Sequence, residues 1–156
     1  MTSKKETAVT ESIVTPEFRL AFAAVLNPTQ NRQGKDVYEI TMLFPKDQPD
    51  LLKPIKQLAG QVLQTKFPDP AKRPGQINSP FRDGDQPNRK GNVYESHKGH
   101  IFVKANSYYK PGVVDQRVQP IVNPEAIYNG CYCRAEICAA WYDVDGNAGI
   151  KFWLNN

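Results

Sequence analysis

The sequence is short of several things. Its 156 residues include three cysteines, two methionines, two tryptophans and two histidines. Cys131, Cys133 and Cys138 all fall in one short segment. An odd number crowded together is no disulfide framework, and neighbours two residues apart would strain to bridge. They read as small buried hydrophobes of a protein kept in a reducing compartment. A zinc site completed by His97 or His100 would lack the Cys-x-x-Cys knuckle that such sites use. No metal and no cofactor is expected. Long apolar runs are missing too. The longest N-terminal stretch free of charge and proline, Leu20–Asn27, is far short of the ~20 residues a spanning helix needs, so no membrane partner is expected. Met1–Thr15 is polar and lacks the apolar core of a signal peptide. There is no Walker A sequence and no Gly-x-Gly-x-x-Gly. Neither histidine has a serine or cysteine at a motif spacing. The chain reads as a binding protein, not an enzyme.

What is present is an ordinary globular composition, 40% hydrophobic and 23% charged, at a length that fits one domain. Net charge is +4. Gln86–Arg117 carries Arg89, Lys90, Lys98, Lys104, Lys110 and Arg117 against only Glu95 and Asp115. The whole excess therefore sits in about a fifth of the chain and permits a polyanionic partner there. Residues 1–15 read as a flexible N-terminal arm, and 16–156 as a single domain. Phe18–Leu26 and Asp36–Phe44 alternate as paired strands, with Phe18, Leu20, Phe22, Ala24 and Leu26 on one face. Leu51, Ile55, Leu58, Val62 and Leu63 predict one helix, which Asp47 or Asp50 would cap and Pro68 would end. Residues 68–98, with five prolines and no clear period, predict a long functional loop. His100–Asn106, Gly130–Val144 and Ala148–Leu154 predict three more strands, the last two joined by an Asp145-Gly146-Asn147 turn. The fold class is all-β with one main helix, an OB-fold-like five-stranded Greek-key barrel.

The strand faces carry the functional argument. Cys131, Cys133, Ala135, Ile137, Ala139 and Trp141 make an apolar face, leaving Tyr132, Arg134, Glu136 and Tyr142 on the other. Ile150, Phe152 and Leu154 alternate with Lys151 and Trp153. Ile101, Val103 and Ala105 alternate with His100, Phe102, Lys104 and Asn106, and Tyr108, Tyr109 and Lys110 follow. Three segments thus put rings beside cations opposite the core. Single-stranded nucleic acid asks for this pairing, since unstacked bases lie on rings and phosphates meet Lys and Arg. The competing reading makes Phe102 or Trp153 second-layer core beneath the helix or the long loop.

A further set of stretches runs in order through the chain: Pro80-Phe81-Arg82-Asp83-Gly84-Asp85, Gly99-His100-Ile101-Phe102, Lys104-Ala105-Asn106-Ser107, Pro111-Gly112-Val113-Val114-Asp115 and Pro120-Ile121. It continues through Tyr128-Asn129-Gly130-Cys131-Tyr132-Cys133-Arg134, Gly146-Asn147-Ala148-Gly149-Ile150 and Leu154-Asn155-Asn156. With these stretches the chain resembles a family of phage-encoded single-stranded DNA-binding proteins with an OB-fold. The resemblance implies sequence-tolerant binding of single-stranded DNA during phage replication, recombination or repair, in the cytoplasm of the infected bacterial host. It leaves phage or host replication proteins as candidate partners. Family members commonly end in an acidic tail that recruits such partners; the sequence stops at Leu154-Asn155-Asn156 without an acidic run, so either the tail has been cut away or tail-mediated recruitment is absent. The expected stacking residues are Phe102, Tyr108, Tyr109, Tyr132 and Trp153. The expected phosphate or base-edge contacts are Arg82, Lys98, Lys104, Lys110, Arg134 and Lys151.

Two other classes compete. A metal-dependent phage recombination nuclease would use Asp83, Asp85 and Asp115. A structural, protein-interaction β-domain would have no affinity for DNA. Arg82-Asp83-Gly84-Asp85 reads first as a turn with Gly84 left-handed and Arg82 paired to an aspartate. Asp143-Val144-Asp145-Gly146-Asn147 reads as a hairpin turn, because the glutamate that would complete a calcium loop is missing. Neither composition nor motif assigns an oligomeric state.

Overall fold

The structure, a computed structural model, describes residues 9–156. The strands are β1 (Ile13–Val14), β2 (Phe18–Gln30), β3 (Asp36–Pro45), β4 (Phe81–Asp83), β5 (His100–Ser107), β6 (Tyr132–Cys133), β7 (Glu136–Val144) and β8 (Asn147–Leu154). One α-helix, α1 (Lys53–Lys66), lies between β3 and β4. The sheet order is β1-β7-β8-β5-β3-β2-β6, with β4 added beside β5. Neighbours are antiparallel except β5 and β8, which run parallel through Ala105↔Phe152 and Asn106↔Trp153.

The two ends of this order are the same two stretches of chain. β1 runs on into β2, and β6 into β7. At one end Ile13 and Val14 pair with Ile137 and Glu136. At the other, Phe18 and Arg19 pair with Cys133 and Tyr132. Between them the buried Thr15 makes the join: its N–H donates to the Ala135 carbonyl at 2.8 Å, and its hydroxyl accepts the Ala135 N–H at 3.1 Å. The sheet therefore curls and closes on itself. Closure removes open edges, which are a liability in any sheet.

Merging the interrupted strands gives the five expected long ones, with β4 as the addition. The boundary of the N-terminal arm moves. Residues 1–8 lie outside the described residues, but residues 9–15 are part of the sheet: Val9 bridges Ala140 and Thr10 N–H donates to the Ala139 carbonyl at 2.9 Å. Their polar composition hid this, because a seam strand needs backbone bonds more than apolar side chains. Gly130–Val144 is broken at Arg134–Ala135, where the partner changes from β2, beside β6, to β1 and β8, beside β7.

The barrel interior holds Phe18, Met42, Phe44, Val103, Ile137 and Phe152, all essentially buried. α1 closes one side with Ile55, Leu58, Ala59 and Val62. Pro54 is tolerated because it falls in the first turn, where its missing N–H is not needed. Neither Asp47 nor Asp50 caps α1. A short 3-10 turn, Pro49–Leu52, leads in, and Asp50 instead pairs with Lys53 at 3.0 Å. Phe67 closes the helix and sets its ring edge-on to Trp141, 5.1 Å between centroids, which holds Trp141 toward the inner side as its parity predicts. Asp145 (φ +53°) and Gly146 (φ +83°) form the tight turn between β7 and β8.

Candidate nucleic-acid interface

The face of the sheet turned away from the core is read off the register. One row runs Tyr132–Arg19–Leu43–Phe102–Arg82, across β6, β2, β3, β5 and β4. A second runs Ala21–Thr41–Lys104. A third runs Glu39–Asn106–Trp153–Cys138, with Lys151 two residues before Trp153 on the same face. Alternation thus places Arg82, Phe102, Lys104, Tyr132, Lys151 and Trp153 together on one surface. Arg19, which sequence reasoning passed over, joins them, its guanidinium 5.6 Å from the Tyr132 ring centroid.

That surface carries two aromatic clusters. The first is Phe22, Tyr94, His97 and Phe102. Phe22 meets Tyr94 edge-on at 5.0 Å, and His97 lies 5.5 Å from Phe22 and 4.9 Å from Phe102. Phe22 and Tyr94 remain 45% and 48% exposed, while His97 is 3% exposed. Phe102 is half-buried under this layer, so the second-layer reading holds for part of its ring. Burial, and then the charges of Lys104 and His100, hold His97 below the usual histidine range. Its Nδ1 sits 2.9 Å from the Ser96 hydroxyl.

Alternation puts Phe22 on one face with Phe18 and Leu20, yet those two are buried and Phe22 is exposed. Irregular register between Ala21 and Ala24 inserts a bulge, and a bulge inverts the alternation beyond it. Val25 is buried in its place. Phe22 adopts φ +49°, and its N–H donates to the Asn129 side-chain oxygen at 2.9 Å. Nothing in the local sequence announces the bulge. Tyr94 escaped notice because it lies in the aperiodic loop. Gly84 anchors that loop. It is not left-handed as expected; a Cβ there would collide with the carbonyl oxygens of His97 and His100, so glycine is required for close approach. Asp83 and Asp85 both pair with Lys46, not Arg82, and its ammonium lowers both carboxyls. Arg82 is left exposed beside Phe102.

The second cluster lies at the other end of β5, where Tyr108 and Trp153 rings stand 5.8 Å apart. Lys35 lies 4.0 Å above Tyr108, and Lys151 3.4 Å above Trp153. The Lys151 ammonium also donates to the Asn106 side-chain oxygen at 2.8 Å. No carboxylate among the described residues pairs with it, and burial pushes its pKa down to about 8. Tyr109 is 83% exposed. From Phe102 to Asn106, β5 spans about 13 Å at ~3.3 Å per residue, so both clusters are within reach of one short strand, with Lys104 between them.

The remaining expected residues are less central. Lys98 is ion-paired with Glu95 at 2.8 Å in the loop, and Arg134 is exposed at the seam, one guanidinium nitrogen 3.4 Å from the Thr15 carbonyl. Lys110 follows Tyr109 and lines a cleft described below. All three cysteines are free thiols. Cys131 and Cys133 sulfurs are 3.6 Å apart, and burial pushes the Cys133 thiol up to about 12, which keeps it protonated and unreactive. Asp115 is engaged in its own turn, accepting the N–H groups of Arg117 and Gln119 at 2.8 and 3.0 Å. The three carboxylates of the nuclease reading thus already have structural work.

A closed, curled sheet of this order, with one helix and a wet face bearing rings and cations, defines an oligonucleotide-binding type of barrel. The chain belongs to the family of the single-stranded DNA-binding protein of Enterobacter phage Enc34, whose family model matches residues 11–156. Its fold is shared with the bacteriophage Enc34 single-stranded DNA-binding protein solved in complex with ssDNA, at TM-score 0.70 and 21% identity over 92% of this chain and 82% of that one. It is also shared with gp2.5, a single-stranded DNA-binding protein encoded by bacteriophage T7, at TM-score 0.64 and 14% identity over 94% and 90%. No curated protein matches the chain in sequence. No helix among the described residues is long and apolar enough to cross a membrane.

Proposed function

We propose that this protein binds single-stranded DNA without strong sequence preference, laying the strand along β5 across the outer face of the barrel. The observation that carries the proposal is the pair of aromatic clusters at the two ends of β5, each with cations beside its rings. Bases stack on Phe22, Tyr94 and the open part of Phe102 at one end, and on Tyr108 and Trp153 at the other. Arg82 and Lys151 meet phosphates at the two ends, and Lys104 meets one between. Stacking contributes ~1–3 kcal/mol per base and tolerates any base, because every base has a π-face. The cations supply affinity that falls with salt. Duplex DNA keeps its bases stacked inside and offers these rings nothing. The Enc34 protein's complex with ssDNA supports the same ligand here. The role is to bind and protect the strand, with no chemistry on it, in phage replication, recombination or repair within the host cytoplasm. Phage or host replication proteins are the further partners this reading implies.

Fluorescence tests it. Trp141 packs on Phe67 at the inner side, so a Trp141→Phe variant leaves Trp153 as the sole reporter. Oligo-dT should quench it, less so as salt rises, and duplex of equal length should not. Equal response to duplex, or none to oligo-dT, overturns the proposal.

A further inference from the structure

Beyond Tyr108 the chain makes an excursion that the two clusters leave unexplained. Residues 113–121 fold back as a small hairpin, with Ile121 N–H donating to the Val113 carbonyl at 2.9 Å and a Val114↔Pro120 bridge. Its base and the far half of β2 enclose an open cleft of about 420 Å³. Leu26, Pro111, Ile121 and Pro124 form apolar walls, and Lys110 and Asn27 supply the polar groups. A smaller hollow of about 120 Å³ adjoins it, sharing Leu26, Asn27 and Pro124.

We propose that this cleft takes a single nucleobase from the bound strand, with its 5′ or 3′ phosphate on Lys110 and its polar edge on Asn27. The proposal rests on the single-stranded DNA reading above and extends the path past the second cluster. Three observations commit the cleft to a base. The first is continuity: the Tyr108 ring stands tilted beside Trp153, Tyr109 is the next residue, and Lys110 lines the cleft, so a strand leaving that platform arrives there. The second is chemistry. A base is a flat apolar disc with a polar rim, which suits proline rings and aliphatic walls with one amide at the edge. An Asn side chain offers both a donor and an acceptor, so it can meet different bases. The third is charge: the lining includes a lysine and no carboxylate, as an attached phosphate requires. The volume lies in the range of small-ligand sites.

The test pairs a protein change with a DNA change. Oligo-dT cut to the shortest length that still binds at full affinity, so that it cannot slide, and carrying one abasic position moved stepwise along it, is titrated against the wild type and Ile121→Asp. In the wild type, one position should weaken binding about 5- to 100-fold more than its neighbours at the cleft end. In Ile121→Asp that position should lose its effect, because the base is already excluded. Asn27→Ala, at an exposed residue and harmless to folding, should halve or better the same positional effect. If both variants bind and map like the wild type, the cleft takes no base, and the DNA reading stands without it. If the wild type fails to bind oligo-dT at all, the underlying reading fails. If Ile121→Asp leaves affinity intact but changes the sedimentation coefficient, the cleft is occupied by a second copy of the chain, and the proposal is overturned.

Discussion

Replacing Phe22 separates backbone strain from base stacking. An L-residue in the left-handed region costs roughly 1–2 kcal/mol, and Phe22 bears that cost at φ +49°. Its ring recovers part of it against Tyr94 and His97, at about 0.5–1.5 kcal/mol per aromatic contact. Phe22→Ala removes both contacts and keeps the strain. Phe22→Gly removes both and releases it. The glycine variant should therefore be the more stable of the two by about 1 kcal/mol, whereas in an ordinary strand glycine is the worse by about 0.5–1 kcal/mol. The inverted sign is the signature, read from the midpoints of urea unfolding at unchanged slope. DNA affinity should respond otherwise. Both variants lose one platform, so both should bind oligo-dT more weakly by ~1–3 kcal/mol, to the same extent. An alanine variant as stable as the glycine one refutes the strained bulge. Unchanged affinity in both refutes the first cluster as a stacking site.

Other outcomes follow from the same geometry. Lys151 must be charged to hold a phosphate, and its pKa is lowered to about 8, so affinity should fall between pH 7 and 9 in the wild type and stay flat in Lys151→Arg. Because the unfolded lysine keeps its proton to a higher pH than the folded one, this residue's burial penalty applies fully below about pH 8 and is relieved as pH rises further, so its contribution to stability should increase there. Lys104→Ala should reduce the slope of log affinity against log salt by about 0.7, the value for one phosphate on a single strand, without altering base preference. Gly84→Ala forces a Cβ onto two carbonyls and should destabilise by about 1–3 kcal/mol; because it displaces the segment bearing Tyr94 and His97, affinity for oligo-dT should fall with it.

Much of the barrel was legible because alternation survives wherever strands are regular. β3, β5 and β8 lie within a residue or so of where their patterns put them, and their outer residues emerge on one face as expected. The Asp145-Gly146 turn was written in local chemistry. Phe22 was misread because a bulge is set by a distant partner, the Asn129 side chain, which no local pattern contains. Tyr94 was missed because a loop places its residues through tertiary contacts, here the tight approach at Gly84. The seam at Thr15 escaped for a related reason: its hydroxyl and N–H find Ala135, 120 positions further along the chain.

That seam has a consequence for how the protein is made. The strand that begins the barrel cannot be closed in until residues 132–137 have been synthesised. At ~5–20 residues per second, roughly 6–24 s separate the emergence of the first side of the seam from that of the second. During that interval β2 and β3 can already form a hairpin, but β2 presents a bare edge, and the barrel interior stands open to water. Pairings across so long a separation are also the slow ones to find. The nascent chain therefore spends its most vulnerable moments waiting for residues 132–154, and its exposure to aggregation ends only when the seam has closed and β8 has entered between β7 and β5.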